Sequence, residues 1–243
     1  MKTVWIFYLG GKMSDALEDF ETDHVKHSIG GFGGHALRRA THMIMAFIPL
    51  IYYSRGQDLA DYVGLNPEQL VSLIVIAILF LEALRLKLGI VIIGQREYEA
   101  NQISALAWGG FAVALALLIS PDDGKSGLNA GLYGIPIIFG LTFVDPIMGE
   151  IKRKKQNLKM AIYVGLLTSY AVWIGCHFWI GTPILASLLL APLTVAGEVP
   201  KLRYIDDNAT MVLFPLSALV ILLPFLWGKD EFGLCLHQGS FWQ

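Results

Sequence analysis

Phe143-Val144-Asp145-Pro146-Ile147-Met148-Gly149-Glu150-Ile151-Lys152-Arg153-Lys154-Lys155 closes the uncharged apolar run 135–144 with a carboxylate, a proline, a glycine and four consecutive cations. An apolar run that ends in clustered Lys and Arg reads as a helix leaving a bilayer on its cytoplasmic side. Pro146 and Gly149 predict a turn at that edge. Composition points the same way. Of 243 residues, 55% are hydrophobic and 16% charged, with a mean hydropathy of +0.56. Soluble domains carry about 25% charged residues. Apolar runs predict spans near 42–54, 69–84 (running on to about 93), 101–120, 131–148, 160–180, 182–197 and 209–228. The expected fold is therefore all-α, a polytopic transmembrane helical bundle of about seven spans. The short alternating segments of a membrane β-barrel are absent from the sequence.

The cations test this count. With seven spans, fifteen Lys and Arg fall on one side, in the N-terminal arm through Arg39 and in 85–100, 149–159 and 198–208. The other side holds three, Arg55, Lys125 and Lys229. This asymmetry puts the basic side and the N-terminus in the cytoplasm and the C-terminus outside. A wrong count would have mixed the two sides.

The chain divides into an interfacial or partly ordered arm (1–34), a transmembrane catalytic region (35–228) and a short tail (229–243). The Gly30–Gly34 run reads as a hinge. Residues 1–10 lack the cleavage site of a signal peptide. Gly181-Thr182-Pro183 is short enough for a tight helical hairpin. Cys176 and Cys235 have no metal or redox spacing. There is no phosphate loop of the Gly-x-x-x-x-Gly-Lys-Ser/Thr type and no Gly-x-Ser-x-Gly elbow. Nothing in the charge pattern suggests a nucleic-acid partner.

Five polar sets lie on the expected inner face. His35, Arg38, Arg39 and His42 are spaced i, i+3, i+4 and i+7 and share one helix face. Glu82 and Arg85 are i, i+3 neighbours at a span end, close enough to pair and candidates for substrate or nucleotide binding. Residues 95–104 read as a solvated loop in which Ser104 caps the next helix. Asp145 is costly at its depth if unpaired, and Gly149 with Lys152, Arg153, Lys154 and Lys155 offers groups for phosphate. Asp206, Asp207 and Asn208 follow a connection that holds Glu198. Paired carboxylates and an amide suit Mg²⁺ carried by a nucleotide, with Asp145, Asp206 and Asp207 as the expected ligands. Capping of the last helix is the plainer explanation for Asp206 and Asp207.

In order, Arg38-Arg39-x-x-His42, Glu82-x-x-Arg85, Asp145 with its glycine and basic residues, and Asp206-Asp207-Asn208 resemble the dolichol kinase and phytol kinase family over residues 35–220. The resemblance implies a polytopic enzyme that phosphorylates an isoprenoid alcohol, typically with CTP. It implies that Asp145 binds metal or nucleotide phosphates and that Lys152–Lys155 hold the phosphates. Asp206, Asp207 and Asn208 would complete the site, and His42 with Arg38 and Arg39 would lie near the lipid hydroxyl. Either His42 or an aspartate would be the base. The chain departs from the family in Val144 before Asp145, in Gln156-Asn157-Leu158 where Gly-Lys-Ser/Thr is usual, and in His35 where an acid is common.

The alternatives are a CDP-lipid synthase and a non-enzymatic membrane protein or transporter. The Lys-Asp, Pro-Gly-His-Gly-Gly and Asp-Arg elements of the synthases are absent, and there is no repeat of the transporter kind. The expectation is an integral-membrane, Mg²⁺-dependent lipid kinase with catalytic Asp145, Asp207 and His42, facing the cytoplasm.

Overall fold

The computed structural model describes residues 29–200, 202 and 204–226. The tail, and the arm before residue 29, lie outside the described residues. The described residues are helical and contain no strand. The α-helices are α1 (Gly31–Met45), α2 (Phe47–Tyr62), α3 (Pro67–Leu88), α4 (Ala105–Ile119), α5 (Gly134–Lys155), α6 (Leu158–Ile180), α7 (Ile184–Glu198) and α8 (Asp207–Leu226). Short 3-10 turns, Glu97–Asn101 and Gly127–Gly131, precede α4 and α5.

Three helices, α3, α5 and α6, are long and apolar enough to cross a membrane, while α4, α7 and the first part of α8 are shorter apolar helices. Fifteen residues of α4 rise about 22 Å, less than the hydrocarbon thickness of about 30 Å. In α3 the buried residues are Val71 and Arg85, while Ile76, Phe80 and Leu81 are each more than 60% exposed. An aliphatic face of that extent needs lipid or another apolar surface against it.

α5 is the axis of the bundle. Ile135, Ile137, Ile138, Leu141, Val144 and Met148 are fully buried, and the helix touches α1, α2, α4, α6, α7 and α8. α6 and α7 form the tight hairpin that the sequence predicts, with Gly181 in the left-handed region at φ 77°. Pro192 has no N–H for the carbonyl of Leu188, and that oxygen accepts instead from Tyr170 Oη across the hairpin at 3.4 Å. Ser169 Oγ donates to the Ala191 carbonyl at 2.7 Å. Such side chains satisfy backbone groups that water cannot reach.

Three expectations are corrected. Pro146 and Gly149 do not turn the chain; α5 continues through both to Lys155. Most of α5 is packed on its neighbours, and this tertiary support outweighs the single hydrogen bond a proline removes. The span expected at 42–54 straddles the junction of α1 and α2 at Ala46. Pro49 explains the junction, because its ring collides with the carbonyl four residues back, at Met45. The Gly30–Gly34 run is no hinge over its whole length either, since α1 begins at Gly31.

The α7–α8 crossing depends on one glycine. A Cβ at Gly197 would overlap the Thr210 backbone, and Thr210 Oγ1 donates to the Gly197 carbonyl at 2.5 Å. Gly197→Ala is expected to push the helices apart and destabilise the protein by about 1–3 kcal/mol. Thermal unfolding in detergent reads this, and an unchanged midpoint would show that the crossing tolerates the methyl group.

Candidate metal and phosphate site

All five polar sets converge at one end of the bundle, where α3, α5 and α7 finish and α4 and α8 begin. The organiser of this end is Glu82–Arg85. Arg85 Nε and Nη2 donate to the two Glu82 oxygens at 2.9 and 2.8 Å. Its remaining donors reach the carbonyls of Ile90, Glu99 and Gln102 at 2.8–2.9 Å. All five guanidinium N–H groups are thus committed within the protein. Glu82 also accepts from the Ser104 backbone at 2.6 Å, and Ser104 caps α4 as expected, its Oγ accepting from Ala107 N at 3.2 Å. The pair therefore shapes the 90–104 connection, and no guanidinium donor of Arg85 is left over for the substrate or nucleotide expected there from the sequence.

Asp145 on α5, Glu198 at the end of α7 and Asp207 at the start of α8 bring carboxylate oxygens within 4.8 Å of one another. Glu198 Oε1 accepts from Lys152 Nζ at 2.5 Å, and both side chains are buried. The other oxygen, Oε2, is buried without a hydrogen-bond partner. His42 Nδ1 lies 3.3 Å from Asp145 Oδ2 but off the line of a hydrogen bond, and it too is a buried atom without one. Asn208 donates through its amide to the Ala105 carbonyl at 3.2 Å, leaving its own oxygen buried and unpartnered. A Cβ on Gly149, one turn along α5 from Asp145, would meet nothing within 4 Å.

Arg38 connects this cluster to the 90–104 connection. It donates to Glu99 Oε1 at 3.0 Å and lies 3.8 Å from Asp206 Oδ2. Burial opposes its charge, but Asp206, Glu99 and Asp207 outweigh burial and hold the guanidinium above its ordinary pKa. Asp206, expected from the sequence as a metal ligand, is not among the three clustered carboxylates. It caps α8, accepting from Asn208 N at 3.1 Å. Burial, then the adjacent Asp207, pushes its carboxyl well above the usual range, with Arg38 opposing. The side chains of Asp206 and Asp207 are hydrogen-bonded to each other, which joins the cap of α8 to the acidic cluster.

The basic run is dispersed by the same geometry. Lys152 turns inward to Glu198. Arg153 and Lys154 turn to Glu150, at 2.6 and 3.0 Å, and Arg39 reaches the same carboxylate at 2.6 Å. Lys155 is exposed. The four expected phosphate ligands therefore do not form one cradle. Lys152 and Arg38 face the acidic cluster, whereas Arg39, Arg153 and Lys154 surround Glu150. His35 has its pKa lowered by partial burial and by Arg39 and Arg153.

Two residues escaped the sequence-based selection. Glu198 stands in a polar connection, and its only signal was that an apolar helix ends on an acid. Glu99 is buried, bonds Arg38, and accepts from the backbones of Arg96 and Ala105 at 3.1 Å each; in the sequence it is one of two glutamates in a loop.

Three carboxylates with one unsatisfied buried oxygen form an oxygen-only donor set, which fits a hard divalent cation such as Mg²⁺. Comparison of the chain with protein-family models, with characterised proteins and with solved structures returned no match.

Proposed function

We infer that this chain is an integral-membrane enzyme that transfers a phosphoryl group from a nucleoside triphosphate, CTP by resemblance, to an isoprenoid alcohol. The observation that carries the reading is the convergence of Asp145, Glu198 and Asp207 beside Lys152 and Arg38 at one end of an apolar bundle. Phosphoryl transfer needs little covalent help from a protein; it needs positioning and neutralisation of charge on the phosphoryl oxygens. Mg²⁺ held by the three carboxylates would supply part of that neutralisation.

The chain's own groups supply the rest. Arg38, held cationic by its carboxylate neighbours, faces the incoming phosphates. Lys152 offsets the negative charge of the cluster before nucleotide arrives. The alcohol oxygen forms a bond to the γ-phosphorus as the bond from that phosphorus to the bridging oxygen breaks. The products are lipid phosphate and nucleoside diphosphate. The hydroxyl proton passes to a side chain of the cluster, where His42 and the aspartates are the groups able to take it.

With seven crossings and the excess of Lys and Arg on this side, the reading puts this end of the bundle in the cytoplasm, where nucleotide is available. In a background lacking Cys176 and Cys235, Lys154→Cys is expected to react with an impermeant thiol reagent only from the cytoplasmic side. Reaction from outside would overturn the topology.

The assay of function uses purified full-length protein, Mg²⁺, γ-labelled CTP or ATP, and farnesol or a longer polyprenol. Labelled phosphate in the organic phase is the expected result. Pyrophosphate release from CTP with a lipid phosphate would establish a synthase instead, and no transfer from any nucleotide would overturn the reading.

A further inference from the structure

The basic end of α5 and the facing side of α1 gather a second polar group, apart from the carboxylate cluster. Arg39 of α1 and Arg153 and Lys154 of α5 all contact Glu150, at 2.6, 2.6 and 3.0 Å. Three cations on one carboxylate leave positive charge uncancelled within the group. Glu150 lies five residues along α5 from Asp145, a rise of about 7.5 Å. His35 precedes Arg39 by one turn on the same face of α1. Its Nε2 is buried without a hydrogen-bond partner, and burial, Arg39 and Arg153 together disfavour its charged form. A buried nitrogen left unpaired beside excess cations is costly. With its proton on Nε2, the neutral ring can donate to an anion, and that anion would also balance the cations.

The surroundings select the anion. The Arg39, Arg153 and Lys154 side chains are 32%, 35% and 64% exposed, so the group can be reached from outside the bundle. It sits where the apolar run of α5 gives way to charge, the level of lipid headgroups. Phe32, one turn before His35, is 78% exposed, and Ile93, which packs at Gly30, is 60% exposed. Such groups suit acyl chains and give a free phosphate ion nothing to bind. We propose that His35, Arg39, Arg153 and Lys154 hold the phosphate of an anionic phospholipid at the membrane edge. Arginine meets phosphate through paired N–H groups and lysine meets it as a point charge. A zwitterionic headgroup brings its own cation and fits the uncancelled charge less well. Binding there requires no phosphoryl transfer and does not depend on the kinase reading.

The test is native mass spectrometry of the full-length protein in detergent, equilibrated with phosphatidylglycerol or phosphatidylcholine of identical acyl chains. One retained phosphatidylglycerol per chain is expected, with phosphatidylcholine lost, and excess inorganic phosphate is expected not to displace it. Arg39→Gln and His35→Phe are each expected to lower retention about tenfold. Lys159→Gln removes an exposed lysine from the first turn of α6 at the same edge and is expected to leave retention unchanged. Thermal unfolding checks each variant, and where one is unfolded the other decides. Equal retention of the two lipids overturns the proposal, as does full retention by the folded His35 and Arg39 variants. Equal losses in these variants and in Lys159→Gln also overturn it, and would show diffuse attraction to a basic surface. Displacement by inorganic phosphate overturns the lipid assignment and would make this a site for free phosphate.

Discussion

Asp145→Asn and Asp207→Asn are each expected to lower the proposed nucleotide-dependent phosphorylation of an isoprenoid alcohol by about a thousandfold or more, an effect of the size seen when a preorganised electrostatic group is lost. The amide keeps the shape of the carboxyl group and removes its charge, so the change acts on cation binding and on charge balance. Neither variant unfolds. Asp145, Glu198 and Asp207 crowd like charges within 4.8 Å, and removing one relieves repulsion in the metal-free protein. Thermal unfolding separates the two effects. Mg²⁺ is expected to raise the midpoint of the parent protein by binding the folded state alone, and to leave each variant where it was. Full activity in either variant would remove that residue from the site. Activity lost together with a collapsed midpoint would report misfolding instead of chemistry.

Lys152→Met is expected to have the second large effect, this time on stability. Lys152 and Glu198 are paired at 2.5 Å, with side chains 8% and 3% exposed. Removing the cation leaves a buried carboxylate beside two others, and breaking a buried pair from one side costs about 3–5 kcal/mol. Adding Glu198→Met removes the stranded charge, and the double variant is expected to regain most of the loss while remaining inactive. Unfolding in detergent, with activity measured in parallel, reads both statements. Lys152→Met alone with the midpoint of the parent protein would show that the pair is not buried as described. A double variant no better than the single one would show that Lys152 acts through packing.

What was legible in the sequence was legible for one-dimensional reasons. Hydrophobic run length located α3, α4, α6, α7 and α8 to within a few residues, because burying or lipid-covering a helix requires an uninterrupted apolar stretch, but it merged parts of α1 and α2 into one span and stopped short of the end of α5. Local chemistry located their ends. Ser104 caps α4, and Gly181 ends α6 in a conformation that glycine adopts without strain. The gathering of the polar sets at one end followed from counting alternate crossings. Local rules misled at Pro146 and Gly149, where neighbouring helices on nearly every side of α5 decide the conformation.

The sequence alone thus determined a helical chain with apolar segments long enough to cross a membrane and a polar end, since composition and spacing carry that information directly. Tertiary structure decided which polar groups meet. It brought Glu198 to Asp145 and Asp207, turned Asp206 to Arg38, consumed all five donors of Arg85 in the 90–104 connection, and split Phe143–Lys155 into an inward Lys152 and outward Arg153 and Lys154. Each outcome depends on the rotation of a helix about its own axis, about 100° per residue. Packing against the other helices sets that rotation, and the order of residues does not record it.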